Sequence, residues 1–137
     1  MNILIVDDQP NVISSLLQRV PWQGIGISNV YTANSALAAR DVLFSKQVDI
    51  LLADIEMPQE NGLSLVRWIR SKGLEIECIL LTSHANFYYA QIAISLEICD
   101  YVIQPAATED IVRSIEKAKD KAVSYTHLRA HETLMNL

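Results

Sequence analysis

Positive charge is in short supply. Eleven Lys and Arg stand against 16 Asp and Glu, a formal charge of −5, so neither DNA nor an anionic membrane surface draws this segment in, because a polyanion gains nothing from meeting an acidic protein. Cysteine is scarce too. Cys78 and Cys99 sit inside apolar runs and have neither the CxxC spacing of metal and redox sites nor the density of a secreted disulfide scaffold. Buried, reduced thiols in a cytoplasmic protein are expected. No basic leader precedes the opening apolar stretch, which meets Asp7 and Asp8 directly after Val6. That stretch is too short for a signal peptide or a membrane span and is expected to be a buried strand. Length excludes as well: 137 residues, 50% of them hydrophobic, close one complete core but not two ordinary domains.

Five short apolar runs recur, at residues 3–6, 29–32, 50–53, 78–81 and 101–103. Their continuous apolarity, without alternation, predicts strands covered on both faces. Helical segments are expected between and after them, at 11–20, 35–46, 62–72, 87–96 and 108–122. In the last of these, Ile111, Ile115, Ala118 and Ala122 fall on one stripe. Thr108 can cap its start, Lys117, Lys119 and Lys121 would complement a C-terminal dipole, and Glu109 with Arg113 has i,i+4 spacing. Strict alternation of strand and helix with short links predicts an α/β, flavodoxin-like (βα)5 three-layer sandwich, a parallel five-stranded sheet in order 2-1-3-4-5. Ligand chemistry is then expected at the carboxyl ends of strands one and three, where the topology switches. Residues 1–122 make the domain. Residues 123–137 hold two of the three histidines and no clean apolar stripe, and read as a tail, either the start of a linker to a further domain or a non-native extension.

Asp7 and Asp8 end the first strand and Asp54 ends the third, so this topology gathers three carboxylates in the crevice. Clustered carboxylates in a partly desolvated cleft need raised pKa values or a hard cation. Mg2+ is the natural occupant, its octahedral shell met by one or two carboxylates, a backbone carbonyl, waters and a phosphate oxygen. Such a site transfers a phosphoryl group to an in-line carboxylate, giving an aspartyl phosphate. Asp54 is the candidate nucleophile, with Asp8 and Asp7 as direct and water-mediated metal holders.

These residues resemble the receiver domains of bacterial two-component response regulators. The resemblance covers residues 1 to about 122 and rests on Ile5-Val6-Asp7-Asp8-Gln9-Pro10, on Asp54-Ile55-Glu56-Met57-Pro58 with Asn61-Gly62, on Leu81-Thr82-Ser83, and on Asp100-Tyr101-Val102-Ile103-Gln104-Pro105. It implies that Asp54 accepts phosphate from the phosphohistidine of a sensor histidine kinase and that Glu56 offers its main-chain carbonyl to the metal. It also implies that Thr82 closes on the phosphoryl group while Tyr101 turns inward as the switch aromatic. On the residues alone, Thr82 reads first as an ordinary strand-end cap, and Tyr101 equally well as a half-buried strand tyrosine. Met57-Pro58 and Gly62 fit a tight loop over the site, proline fixing one dihedral and glycine permitting unusual ones. His84 and Glu56, each two residues past a site residue, hold positions that in the family govern access of hydrolytic water, though His84 reads first as a solvated loop residue.

One position departs from the family. Receivers carry lysine just before the proline that follows the fifth strand, and here that residue is Gln104. A charge-assisted bond of roughly 1.5–3 kcal/mol to the phosphoryl group would become a neutral one of roughly 0.5–1.5, enough to weaken switching. The alternative is therefore a pseudo-receiver, an interaction module that acts without phosphorylation. The segment from Leu81 to Ala90, together with Val20-Pro21-Trp22 before Gly26-Ile27, is similar to receivers that precede AraC-type helix-turn-helix output domains. DNA would then be met only through an output domain outside this chain, and self-association through the fourth and fifth units is left open. A haloacid-dehalogenase-type phosphatase would need a second aspartate where Glu56 stands, and a flavodoxin would need a phosphate cradle where the first loop is acidic.

Overall fold

Strands with apolar residues at consecutive positions must bury both faces, and each neighbouring side chain then serves a different core. The computed structural model, which describes residues 1–135 with side chains as far as Ser124, shows this division. The elements alternate as β1 (Asn2–Val6), α1 (Pro10–Arg19), β2 (Asn29–Ala33), α2 (Ala36–Ser45), β3 (Ile50–Asp54), α3 (Gly62–Ser71), β4 (Glu77–Thr82), α4 (Phe87–Ser95), β5 (Asp100–Ile103) and α5 (Thr108–Met135). All strand pairs are parallel and the sheet order is β2-β1-β3-β4-β5, as expected.

On one face Leu4 and Val6, Leu51 and Ala53, and Cys78 and Leu80 pack under α2, α3 and α4. On the other, Ile3 and Ile5, Ile50 and Leu52, and Ile79 and Leu81 meet Leu16 of α1 and Ile111, Ile115 and Ala118 of α5. Both cysteines are buried and free, and burial pushes the Cys78 thiol up to about 12, so it stays protonated. Among the described residues no helix is long and apolar enough to cross a membrane.

Side-chain caps start three helices: Ser35 accepts from the Ala38 amide at 3.0 Å, Asn61 from Ser64 at 2.9 Å, and Asn86 from Tyr88 at 2.9 Å. Each satisfies an amide that the first helical turn leaves unpaired. At α5 the Ala107 carbonyl accepts from the Ile111 amide at 3.2 Å, so Thr108 is the first residue inside the helix and not its cap.

The last helix departs most from expectation. Its backbone runs past Ala122 to Met135, because no glycine or proline follows Pro105 and nothing local stops it. Lys117, Lys119 and Lys121 therefore lie within the helix, remote from its terminal carbonyls. Lys119 instead donates to the Ile25 carbonyl and approaches Glu116 at 3.6 Å, tying α5 to the turn before β2. Arg113 pairs with Asp110 at 2.9 Å, not with Glu109. Of the tail expected at 123–137, the backbone to Met135 is thus helical, and 136–137 lie outside the described residues.

Gly62 is required by space. A Cβ there would lie 2.3 Å from the Asp54 backbone oxygen, while the Gly62 amide donates to the Ile55 carbonyl at 3.0 Å. The unusual dihedral expected of this loop falls instead on Gln59, at φ 68°. Because the obstacle is backbone and cannot swing aside, Gly62→Ala should destabilise the fold by about 2 kcal/mol or more, read as a lower urea midpoint with an unchanged slope.

Candidate functional site

The register Val6↔Ala53 between β1 and β3 brings the two strand ends level, so the next residues of each, Asp7-Asp8 and Asp54, share one crevice. Each of Asp7, Asp8 and Asp54 offers a carboxylate oxygen within 4.8 Å of the others. Asp7 is 2% exposed and Asp54 9%. Little water reaches them, and no described Lys or Arg forms an ion pair with any of the three.

The electrostatic consequence is direct. Burial, then the charge of Asp7, then the hydrogen bond and charge of Glu56 raise the Asp54 carboxyl to about 7, against a smaller lowering by the Glu56 amide. Burial also raises Asp7, partly offset by the Gln9 amide, which donates to its Oδ1 at 2.9 Å. Asp8 Oδ1 is buried with no hydrogen-bond partner. An oxygen-only donor set with one orphaned oxygen and uncompensated charge fits a hard divalent cation.

Thr82 ends β4, beside the acceptor strand, and is 0% exposed. Its hydroxyl donates to Glu56 Oε1, and the His84 amide donates to Thr82 Oγ1 at 3.1 Å. Tyr101, half-buried on β5, donates from its hydroxyl to the His84 carbonyl at 3.5 Å, a long and weak bond. His84 itself is exposed, as its loop position suggested. Gln104 lies just past β5, where its amide nitrogen donates to the Thr82 carbonyl at 2.7 Å. Gln104 borders a cavity of about 350 Å³ with Asn11, Ser15, Arg19 and Ser83. Among the described residues, no side-chain hydrogen bond links it to Asp54.

The structure therefore gathers Asp7, Asp8, Asp54, Glu56 and Thr82, and leaves Tyr101 and Gln104 at the margin. The sequence reading gave Glu56 a main-chain role toward the metal and a place beside hydrolytic water, but missed the contact of its carboxylate with Thr82. A signal existed: in extended chain, residues two apart point to the same side, so a carboxylate two residues after Asp54 faces the crevice.

The profile of the response regulator receiver domain matches residues 3–116. The chain belongs to that family. It is 32% identical over 103 residues to an uncharacterised response regulatory protein of Staphylococcus epidermidis, covering 75% of this chain and 40% of that one. It is 25% identical over 115 residues to the transcriptional regulatory protein YesN of Bacillus subtilis, covering 84% of this chain and 31% of YesN. The receiver thus spans less than half the length of these curated relatives. The solved receiver domain of AraT, a response regulator from Geobacillus stearothermophilus, superposes with a TM-score of 0.80 at 28% identity, over 91% of this chain and 97% of that one. The chain is a two-component signalling domain, and the dehalogenase and flavodoxin readings fall away.

The raised Asp54 carboxyl carries a pH signature. With its folded pKa near 7 and its ordinary value 3.8, the folded state binds the proton more tightly than the unfolded chain. The stability this adds is fully present below the unfolded value and is lost as pH rises through about 7. In metal-free protein, Tm should therefore fall between pH 5 and pH 8, and Asp54→Asn should flatten that fall. An equally steep fall in the variant would mean that another group governs it.

Proposed function

We propose that this receiver accepts a phosphoryl group on Asp54 from the phosphohistidine of a sensor histidine kinase. The bond to the imidazole nitrogen breaks as an Asp54 oxygen bonds to phosphorus, and the imidazole leaves with the electron pair. The observation that carries the reading is the meeting of Asp7, Asp8 and Asp54 at two adjacent strand ends with no balancing cation from the described chain. Mg2+ is the fitting occupant, held by Asp7, Asp8, Asp54 and the main-chain carbonyl of Glu56. When bound, it offsets negative charge on the phosphoryl oxygens. The protein's own catalysis is limited to acquiring and losing this group. Thr82, Gln104 in place of lysine, and Tyr101 form the response to it.

Residues 1–122 constitute the switching unit of a cytoplasmic transcription regulator, and DNA is reached through an output domain that follows it. The likeness to YesN supports this placement. Phosphorylation then alters self-association or the contact with the output domain. A second reading has one observation in its favour: the Gln104 side chain makes no hydrogen bond to Asp54, and Gln104 borders the cavity beside α1, as an interaction module that works without phosphate allows.

Mass analysis after exposure to a small phosphodonor with Mg2+ separates the two. One phosphoryl group is expected on the native protein and none on Asp54→Asn; incorporation that survives in Asp54→Asn but is lost in Asp7→Asn would overturn the assignment.

The lysine departure has its own test. Gln104→Lys restores an ammonium that contacts the phosphoryl group only in the modified state, and only such differential contact shifts a two-state equilibrium. The change in amide chemical shifts at Thr82, His84 and Tyr101 on adding beryllofluoride should be larger in Gln104→Lys than in the native protein, with the modified-state bias increased about tenfold. Equal, full-sized changes in both would make glutamine an adequate substitute.

A further inference from the structure

We propose that the Glu56 side chain is the latch of the unmodified state, holding the Thr82 hydroxyl that a phosphoryl group on Asp54 must take over. This deepens the reading above and rests on Asp54 as the acceptor. A threonine hydroxyl has one proton to donate. Two acceptors lie in its reach, Glu56 Oε1 and the neutral His84 carbonyl at 3.1 Å, and the carboxylate is the stronger because bonds to ionised acceptors exceed those to neutral ones. The main-chain amide of the same residue donates to Asp54 Oδ1 at 3.3 Å. Glu56 is therefore tied to Asp54 through its amide and to Thr82 through its carboxylate, and a phosphoryl oxygen on Asp54 that takes the Thr82 proton must displace that carboxylate.

Two further features make Glu56 a latch and not a fixed brace. Its second oxygen, Oε2, is buried without a partner, so the closed position leaves a carboxylate oxygen desolvated and unsatisfied, a cost that favours release. Glu56 also lies in the segment between β3 and α3, outside either element, where a side chain can swing to water without disturbing the sheet.

Release has a path to the surface. Thr82 Oγ1 accepts from the His84 amide at 3.1 Å, and the Tyr101 hydroxyl rests on the His84 carbonyl at 3.5 Å. A Thr82 turned toward phosphate alters the first of these bonds and frees the loop that carries the second. Because Gln104 brings no ammonium to pull on the phosphoryl group, the competition for Thr82 weighs more heavily in this chain. The latch thus positions Thr82 and opposes switching until phosphate displaces it.

The variants Glu56→Ala and Glu56→Gln separate the hydrogen bond from the charge, since glutamine is neutral but still presents an oxygen to Thr82. In ligand-free protein, Glu56→Ala should shift the Thr82 methyl, His84 amide and Tyr101 ring resonances, while Glu56→Gln, which keeps an acceptor but a neutral one, shifts them less. With Mg2+ present, Glu56→Ala should bind beryllofluoride about tenfold more tightly than Glu56→Gln. Glu56→Ser, too short to span to Thr82, serves as a second acceptor-free variant if the alanine protein fails to fold. Unmoved Thr82 resonances in the acceptor-free variants, or equal beryllofluoride affinity in the alanine and glutamine proteins, would overturn the latch alone. Binding by none of the proteins, native included, would overturn the acceptor reading and the latch with it.

Discussion

Three carboxylates share one crevice because β1 and β3 are neighbours in the sheet and run level at Val6 and Ala53. Their mutual repulsion in a place with little water is the constraint on which the rest of the site depends. Burial first, then the charge of Asp7 and the neighbouring Glu56, lifts Asp54 toward neutrality, and an Asp8 oxygen is left without a partner. A folded protein tolerates such an arrangement only where the surroundings over-determine it. Here the two apolar cores supply that rigidity: every residue of β3 is buried, and its strand neighbours on both sides are almost wholly so.

From this crevice a chain of hydrogen bonds leads outward. Asp54 meets Glu56, Glu56 holds Thr82, and Thr82 meets the loop that carries His84 and contacts Tyr101. The loop leads into α4, whose side chains are mostly apolar yet leave Phe87, Tyr88 and Ile94 exposed. Only Ala93 of that helix is fully buried. A helix so lightly anchored is free to respond to small changes at its start, as elements that move in signalling generally are. α3 is the opposite case, with five buried residues and a glycine start pressed against the Asp54 backbone. The Asp54 side of the site is thus backed by a deeply buried helix and the Thr82 side leads to a shallow one.

The substitution at Gln104 gains its meaning within this frame. A lysine would bring both charge compensation to the carboxylates and a grip on the phosphoryl group. Glutamine brings neither, and Gln104 borders the cavity beside α1. The site is left without that positive charge.

Most of the fold was legible in the residues. Continuous apolar runs between helical segments specified five doubly covered strands, and strict alternation left one economical topology, because right-handed crossovers admit few arrangements. Asp7, Asp8 and Asp54 were legible as strand-end carboxylates once that topology was assumed. The end of α5 was not, since the fading of its apolar stripe marks the edge of the core while only a backbone breaker marks the end of a helix, and none follows Pro105. Nor was the role of Gly62, which is set by the Asp54 backbone lying where a Cβ would go, eight residues away in sequence. The Glu56 carboxylate belongs to the same class. Local pattern places it on the right side of the chain, but its partner Thr82 lies on another strand, and hydrogen bonds between side chains are chosen by distances that only the packed sheet sets. Sequence by itself determined which elements form, in what order, and which groups carry charge at their ends; tertiary structure decided which of those groups touch, because contact is a property of register and crossing and not of local periodicity.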